Sequence, residues 1–97
     1  MARVIYGPGG LAQLEDTYRS LRAEDPSSAA TALHAVCSVI AALAAHPLLG
    51  RRLDAGLREL TTGYGPTQCI TVYRFDVPRD EVRVLAVRRS PRHAALP

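Results

Sequence analysis

Residues 69–87, CITVYRFDVPRDEVRVLAV, decide the fold because they contain two strand-like runs separated by a turn. The run over 69–75 is rich in β-branched and aromatic residues, and the run over 82–87 alternates in side-chain character. The intervening segment 76–80 contains Pro78, which favours a turn over a continued strand. The stretch therefore predicts two antiparallel strands joined by a hairpin turn.

Side-chain alternation predicts the two faces of these strands. In the second strand, one face carries Val82, Val84 and Ala86, and the other carries Arg83, Leu85 and Val87. In the first strand, the same rule places Arg74 on a face with Val72 and Ile70. Arginine side chains therefore emerge from both strands of the pair.

The segment before this hairpin predicts one more strand of the same sheet. Residues 57–61, LRELT, are strand-like, and GYGP at 63–66 supplies the turn that follows. We expect Leu57 or Leu60 to pack against the helix hairpin predicted below, with Arg58 pointing away from it. The three strands then form an antiparallel meander.

The N-terminus predicts a strand and a helix. Residues 3–6, RVIY, are strand-like and end at GPGG, residues 7–10. This glycine-rich segment lacks the Lys-Ser/Thr pair of a phosphate-binding loop, so we interpret it as a strand-to-helix turn. From Leu11 onward, apolar residues recur at helical spacing and predict an amphipathic helix that ends near Asp25.

A second helix follows almost without a linker. Pro26 suits the first helical position, with Asp25 as the N-cap. We expect this helix to end at His46, because Pro47 disfavours a helical conformation for the residue before it. Two helices joined so closely predict an antiparallel helix hairpin.

These elements predict a one-domain α+β fold: an N-terminal strand, an antiparallel helix hairpin and a three-stranded antiparallel meander. The length of 97 residues fits the single domain 1–97. We expect residues 90–97, which contain two prolines, to form a flexible tail. Aromatic residues make up only 5% of the chain, which argues against a stacking platform for single-stranded nucleic acid.

The positive charge is concentrated in the second half of the chain. Residues 1–48 contain three arginines and four acidic residues, net −1, whereas residues 49–97 contain nine arginines and five acidic residues, net +4. All twelve basic residues are arginine, which excludes every lysine-dependent mechanism. A basic surface built by the second half suits an acidic partner or nucleic acid.

The remaining signals predict neither a metal site nor a cofactor. His34 and Cys37 lie three residues apart, but no second closely spaced pair of ligands accompanies them. We expect Cys37 and Cys69 to be core thiols and not a disulfide. No export signal precedes the first strand, and the apolar stretch 35–45 is too short to span a bilayer, so we expect a cytoplasmic protein with no membrane partner.

Five segments of the chain resemble the RelE/ParE superfamily of bacterial toxins, from type II toxin–antitoxin (plasmid stabilisation) systems. They follow one another in the order found in that superfamily, and they look closer to its ParE branch. The most specific segment is HPLLGRRLDAGLREL, residues 46–60, and the others are VIY with LAQLE, DPSSAA, VYRFD and VRVLAVR. The resemblance implies the α+β toxin fold and a toxin that inhibits growth. It also implies a cognate antitoxin partner that neutralises the toxin in a toxin–antitoxin hetero-oligomer.

The superfamily contains two functional classes, and the resemblance leaves both open. ParE-like members bind DNA gyrase and block replication without being enzymes. The alternative is a ribosome-dependent endoribonuclease that cleaves mRNA, which here would use Arg58, Arg74, Arg89 and His93. A nuclease needs a side chain that transfers protons, and arginine does this poorly because it stays protonated. We therefore favour the class that binds DNA gyrase over the endoribonuclease. The expected target-binding residues are Arg88, Arg89, Arg92, Arg58 and Arg74.

Overall fold

A computed structural model describes residues 1–64 and 67–91 of the chain. The elements are β1 (Arg3–Tyr6), α1 (Pro8–Glu24), α2 (Pro26–Ala41), β2 (Arg51–Arg52), β3 (Leu57–Tyr64), β4 (Thr67–Asp76) and β5 (Glu81–Pro91). Short 3-10 turns occupy Ala42–Ala44 and Asp54–Gly56. A strand, two helices and a strand meander confirm the predicted α+β fold.

Five strands form one mixed sheet in the order β1-β5-β4-β3-β2 within the described residues. The predicted meander is confirmed, because β3 pairs antiparallel with β4 and β4 pairs antiparallel with β5. β1 lies parallel to the first four residues of β5. The two-residue strand β2 was not predicted; it pairs with Arg58 and Glu59 of β3.

A β-bulge in β5 changes which side chains face the core. Val72 pairs with Ala86 but Tyr73 pairs with Val84, so Leu85 is an extra residue without a partner in β4. One extra residue reverses the alternation beyond it. Val87 is consequently 1% exposed and packs in the core. The prediction that placed Ala86 on the face of Val82 and Val84, with Val87 opposite, is therefore wrong beyond the bulge.

The core lies between the helices and one face of the sheet. Its first cluster joins Val36 and Ile40 of α2 to the sheet residues Cys69, Val84 and Val87. A second cluster consists of Ala2, Leu43, Leu60, Tyr73 and Val82. Among the described residues, Pro26–Ala44 is the one helical stretch with the length and composition of a membrane span. Its buried residues contact the sheet and α1, so we assign it as a core helix.

The helix ends differ from the predicted ones. α1 begins at Pro8 and not near Leu11, so Gly9 and Gly10 belong to its first turn. Gly10 lies so close to β5 that a Cβ atom would be 2.4 Å from the Val84 carbonyl oxygen. α2 gives way to the 3-10 turn after Ala41 and therefore ends before the expected His46.

The register of β3 corrects the expected orientation of Arg58. Leu60 is buried, as expected for one of the two leucines. Arg58 lies two residues before it and pairs with the fully buried Tyr73, so both share the helix-covered face. The expectation that Arg58 points away from that face is wrong. Its Nη1 donates to the carbonyl oxygens of Gly50 (2.9 Å) and Leu48 (3.2 Å).

Candidate target-binding face

Three cross-strand pairs of β4 and β5 line the sheet face opposite the helices. They are Arg74 with Arg83, Val72 with Ala86, and Ile70 with Arg88. The alternate residues of β4, Cys69, Thr71 and Tyr73, are at most 1% exposed because they face the helices. We call the surface formed by the three pairs the open face. It has an apolar centre with arginine at both ends.

The arginines of the open face lack carboxylate partners, with one exception. The side chains of Arg74 and Arg88 are exposed and make no hydrogen bond or ion pair to the part of the chain that the structure describes. Arg83 donates to Glu81 over 3.4 Å. Like charges directly opposite on neighbouring strands repel, so the Arg74–Arg83 pair is suited to an anionic ligand that relieves this repulsion.

Glu81 compensates the positive charge at one margin of the open face. Its side chain is only 6% exposed, and its two carboxylate oxygens accept from Arg3 (2.9 Å) and Arg83 (3.4 Å). On the other margin, Arg51 forms an ion pair with Glu59 of β3. The uncompensated charge is therefore that of Arg74 and Arg88.

Arg89 lies on the opposite face of β5 from Arg88. Its side chain is 17% exposed, forms an ion pair with Glu24 of α1 (2.8 Å) and donates to Ser20 Oγ (2.6 Å). The bulge turns it toward α1, where Nε is buried without a hydrogen-bond partner. These contacts fasten the end of β5 to α1 and leave little of Arg89 for an external ligand.

The structure brings together only part of the predicted residue set. Arg74 and Arg88 share the open face. Arg58 and Arg89 lie on the helix side and pair with Tyr73 and Cys69, respectively, at separate positions along β4. The remaining predicted residues, Arg92 and His93, lie outside the described residues.

Burial favours the neutral forms of Cys69 and Tyr6. Burial raises the pKa of Cys69 to about 11, with partial opposition from the charge of Arg89. Burial also raises the pKa of Tyr6 to about 12, assisted by Cys37. Both cysteines are free thiols. Across residues 1–64 and 67–91, no three His, Cys, Asp or Glu side chains are placed to hold a metal ion.

One feature of the open face and one of the helix-covered face were not predicted from the sequence. Arg83 joins the open face because the register sets it opposite Arg74, and no local pattern gives that register. The hydroxyl of Tyr73 donates to the Pro47 carbonyl (2.7 Å) and accepts from the Gly50 N–H (2.8 Å). A tyrosine among the buried residues of a strand is the signal for such bonds, because a buried tyrosine hydroxyl requires a partner.

Comparison with known proteins identifies the family. Residues 4–93 match the family model described as the ParE toxin of the type II toxin–antitoxin system parDE. The chain therefore belongs to the ParE toxin family. This agrees with the resemblance to type II toxins that the sequence motifs indicated.

A solved structure supports the same fold. A chain of the chromosomal ParDE toxin–antitoxin system from P. aeruginosa matches with a TM-score of 0.74 and 22% identity. The match covers 92% of this chain and 96% of the other. A comparison with curated protein sequences found no match.

Proposed function

We propose that this ParE-family toxin arrests growth by binding DNA gyrase as a protein inhibitor, not as an enzyme. The observation that carries the proposal is the open face, where Arg74 and Arg88 are exposed without a carboxylate partner. Arginines flanking an apolar centre form the kind of surface that recognises an acidic protein patch. The ParE family, whose members are gyrase inhibitors in general, supports this choice.

The alternative function, a ribosome-dependent endoribonuclease, requires a general acid or base beside the cations. Arg58, Arg74 and Arg89 do not converge on one point, because Arg74 lies on the other face of the sheet from Arg58 and Arg89. His93 is the remaining proton carrier of that proposal. The separation of the three arginines favours the inhibitor over the nuclease.

Charge removal on the open face tests the proposed target site. We expect the double variant Arg74→Ser/Arg88→Ser to lose growth inhibition while its melting temperature stays close to that of the original toxin. Neither side chain makes a hydrogen bond or ion pair within the described structure, so the fold loses none of these interactions. The control is Arg22→Ser/Arg79→Ser, which removes the same charge from exposed positions off the open face and breaks only the exposed ion pair of Arg79 with Asp76 (3.7 Å). Full toxicity of the first variant would contradict the placement of the site.

We also propose that an antitoxin neutralises the toxin in the cytoplasm as a hetero-oligomer, covering the helix pair and the adjoining sheet. The outward residues of α2 include Ala30 and Ala41, whose small side chains allow a partner backbone to approach closely. Antitoxin segments of this kind are disordered alone and fold on binding. We expect bound antitoxin to slow amide hydrogen exchange over residues 11–46. Unchanged exchange there would contradict this placement.

A further inference from the structure

The loop that joins the helices to the sheet exposes two leucines. Leu48 is 61% exposed and Leu49 is 56% exposed, and Val77 in the neighbouring β4–β5 turn is 70% exposed. These three are among only five large hydrophobic residues exposed in the part of the chain that the structure describes. We call residues 47–50 the leucine loop. A cluster of exposed apolar side chains marks an interaction surface.

The leucine loop is held in place by four hydrogen bonds to Tyr73 and Arg58. Tyr73, which is fully buried, binds the Pro47 carbonyl and the Gly50 N–H through its hydroxyl. Arg58 donates to the carbonyls of Leu48 and Gly50. Gly50 fits against Tyr73 so closely that a Cβ atom would lie 2.7 Å from the ring carbon Cε1. The two leucines therefore stay exposed because the loop backbone is fixed, not because the loop is mobile.

A pocket of about 210 Å³ opens beside Leu48. Its apolar wall is formed by Leu48, Leu57, Phe75 and Val77, and Arg52 and Arg58 contribute the polar wall. Arg52 is exposed and has no carboxylate partner among the described residues. Arg74, which is also unpaired, lies directly across from Leu57. The pocket thus combines an apolar interior with an arginine rim.

We propose that the leucine loop and this pocket bind an acidic amphipathic segment of the antitoxin. One aliphatic or aromatic side chain of that segment fills the pocket, and flanking carboxylates bind Arg52 and Arg74. The inference rests on the antitoxin partner of the proposed function and adds a contact surface outside residues 11–46.

The positive charge of the rim and the ordered backbone of the leucine loop both favour an acidic antitoxin segment as the ligand. The unpaired arginines are complementary to carboxylates, and the pocket admits a single protruding side chain. An antitoxin segment that folds on binding loses conformational entropy, which weakens its affinity. The affinity is higher when the toxin surface is already ordered, because no further entropy is then lost there. The leucine loop meets that condition through its bonds to Tyr73 and Arg58.

The experiment compares the affinity of toxin variants for the cognate antitoxin, measured by calorimetry with full-length proteins. We expect Leu48→Ser/Leu49→Ser to weaken binding by about tenfold or more, as loss of a central apolar contact does. The matched control Leu48→Met/Leu49→Met keeps apolar side chains and should bind within about threefold of the original toxin. Melting temperatures of both free variants should remain unchanged, since both leucines are exposed.

A second variant makes the test independent of the leucines. Arg52→Glu reverses an exposed charge at the rim, and we expect it to weaken antitoxin binding and to reduce its dependence on salt. Unchanged affinity in both Leu48→Ser/Leu49→Ser and Arg52→Glu would overturn the inference. Lost toxicity with full antitoxin affinity would also overturn it, because the surface would then belong to the target. Failure of the original toxin to bind the antitoxin would instead contradict the proposed function itself.

Discussion

At the scale of single residues, Gly10 in the first turn of α1 packs so closely against the backbone of β5 that any larger residue there is unfavourable. A Cβ atom on Gly10 would lie 2.4 Å from the Val84 carbonyl oxygen and 3.0 Å from its carbon, both backbone atoms that cannot rotate away. We expect Gly10→Ala to lower the free energy of unfolding by about 1–3 kcal/mol, measured by urea denaturation. The clash arises where α1 crosses β5 at the bulge.

Gly9 provides the matched control for this prediction. A Cβ atom there would lie 3.6 Å from the Leu85 carbonyl oxygen, which is an ordinary contact. Because alanine is the better helix former, Gly9→Ala should leave stability unchanged or raise it by up to about 1 kcal/mol. Similar losses in both variants would show that helix propensity, not the approach to Val84, decides the outcome.

The residue scale also shows how far the sequence could predict the site. Strand alternation places Arg74 on the correct face with Val72 and Ile70, because β4 is regular along this stretch. Beyond the bulge at Leu85 alternation reverses, so the sequence could not show that Arg89 turns toward Glu24. Side-chain alternation predicts which face of the sheet each residue occupies only as far as the strand pairing continues without an inserted residue.

At the scale of elements, two residues on the same face of β3 stabilise the fold differently: Leu60 by packing in the core and Arg58 by hydrogen bonding. Leu60 is 8% exposed in the core cluster that contains Tyr73, so Leu60→Ala should cost about 2–4 kcal/mol. Arg58→Ala removes hydrogen bonds to two loop carbonyls and should cost about 1 kcal/mol. Thermal and urea unfolding of the two variants measure the difference. Equal costs, or none for Arg58→Ala, would contradict these assigned roles.

Most elements and the antiparallel meander could be predicted, whereas the pairings of β1 and β2 could not. β1 and the central parts of β3, β4 and β5 agree with the sequence patterns, because β-branched residues and turn residues mark them locally. The parallel pairing of β1 with β5 joins residues about eighty positions apart, which no local signal encodes. The two-residue strand β2 is too short to produce a periodic pattern.

At the scale of the whole molecule, the two proposed partners use adjoining surfaces that share Arg74. The helix pair and the leucine loop are assigned to the antitoxin, whereas the open face with Arg74 and Arg88 is assigned to gyrase. Arg74 lies directly across from Leu57, which lines the pocket, so we place it where the two surfaces meet. Shared use of Arg74 provides a direct physical route by which bound antitoxin would prevent target binding.

The central claim is that this toxin acts on gyrase and leaves mRNA intact. The most direct measurement is induction of the toxin without antitoxin, followed early after induction by parallel mapping of gyrase-linked chromosomal breaks and of new mRNA 5′ ends. We predict that gyrase-linked breaks accumulate, that mRNA ends stay unchanged, and that Arg74→Ser/Arg88→Ser abolishes the breaks. Ribosome-dependent mRNA cleavage with an intact chromosome would contradict the claim.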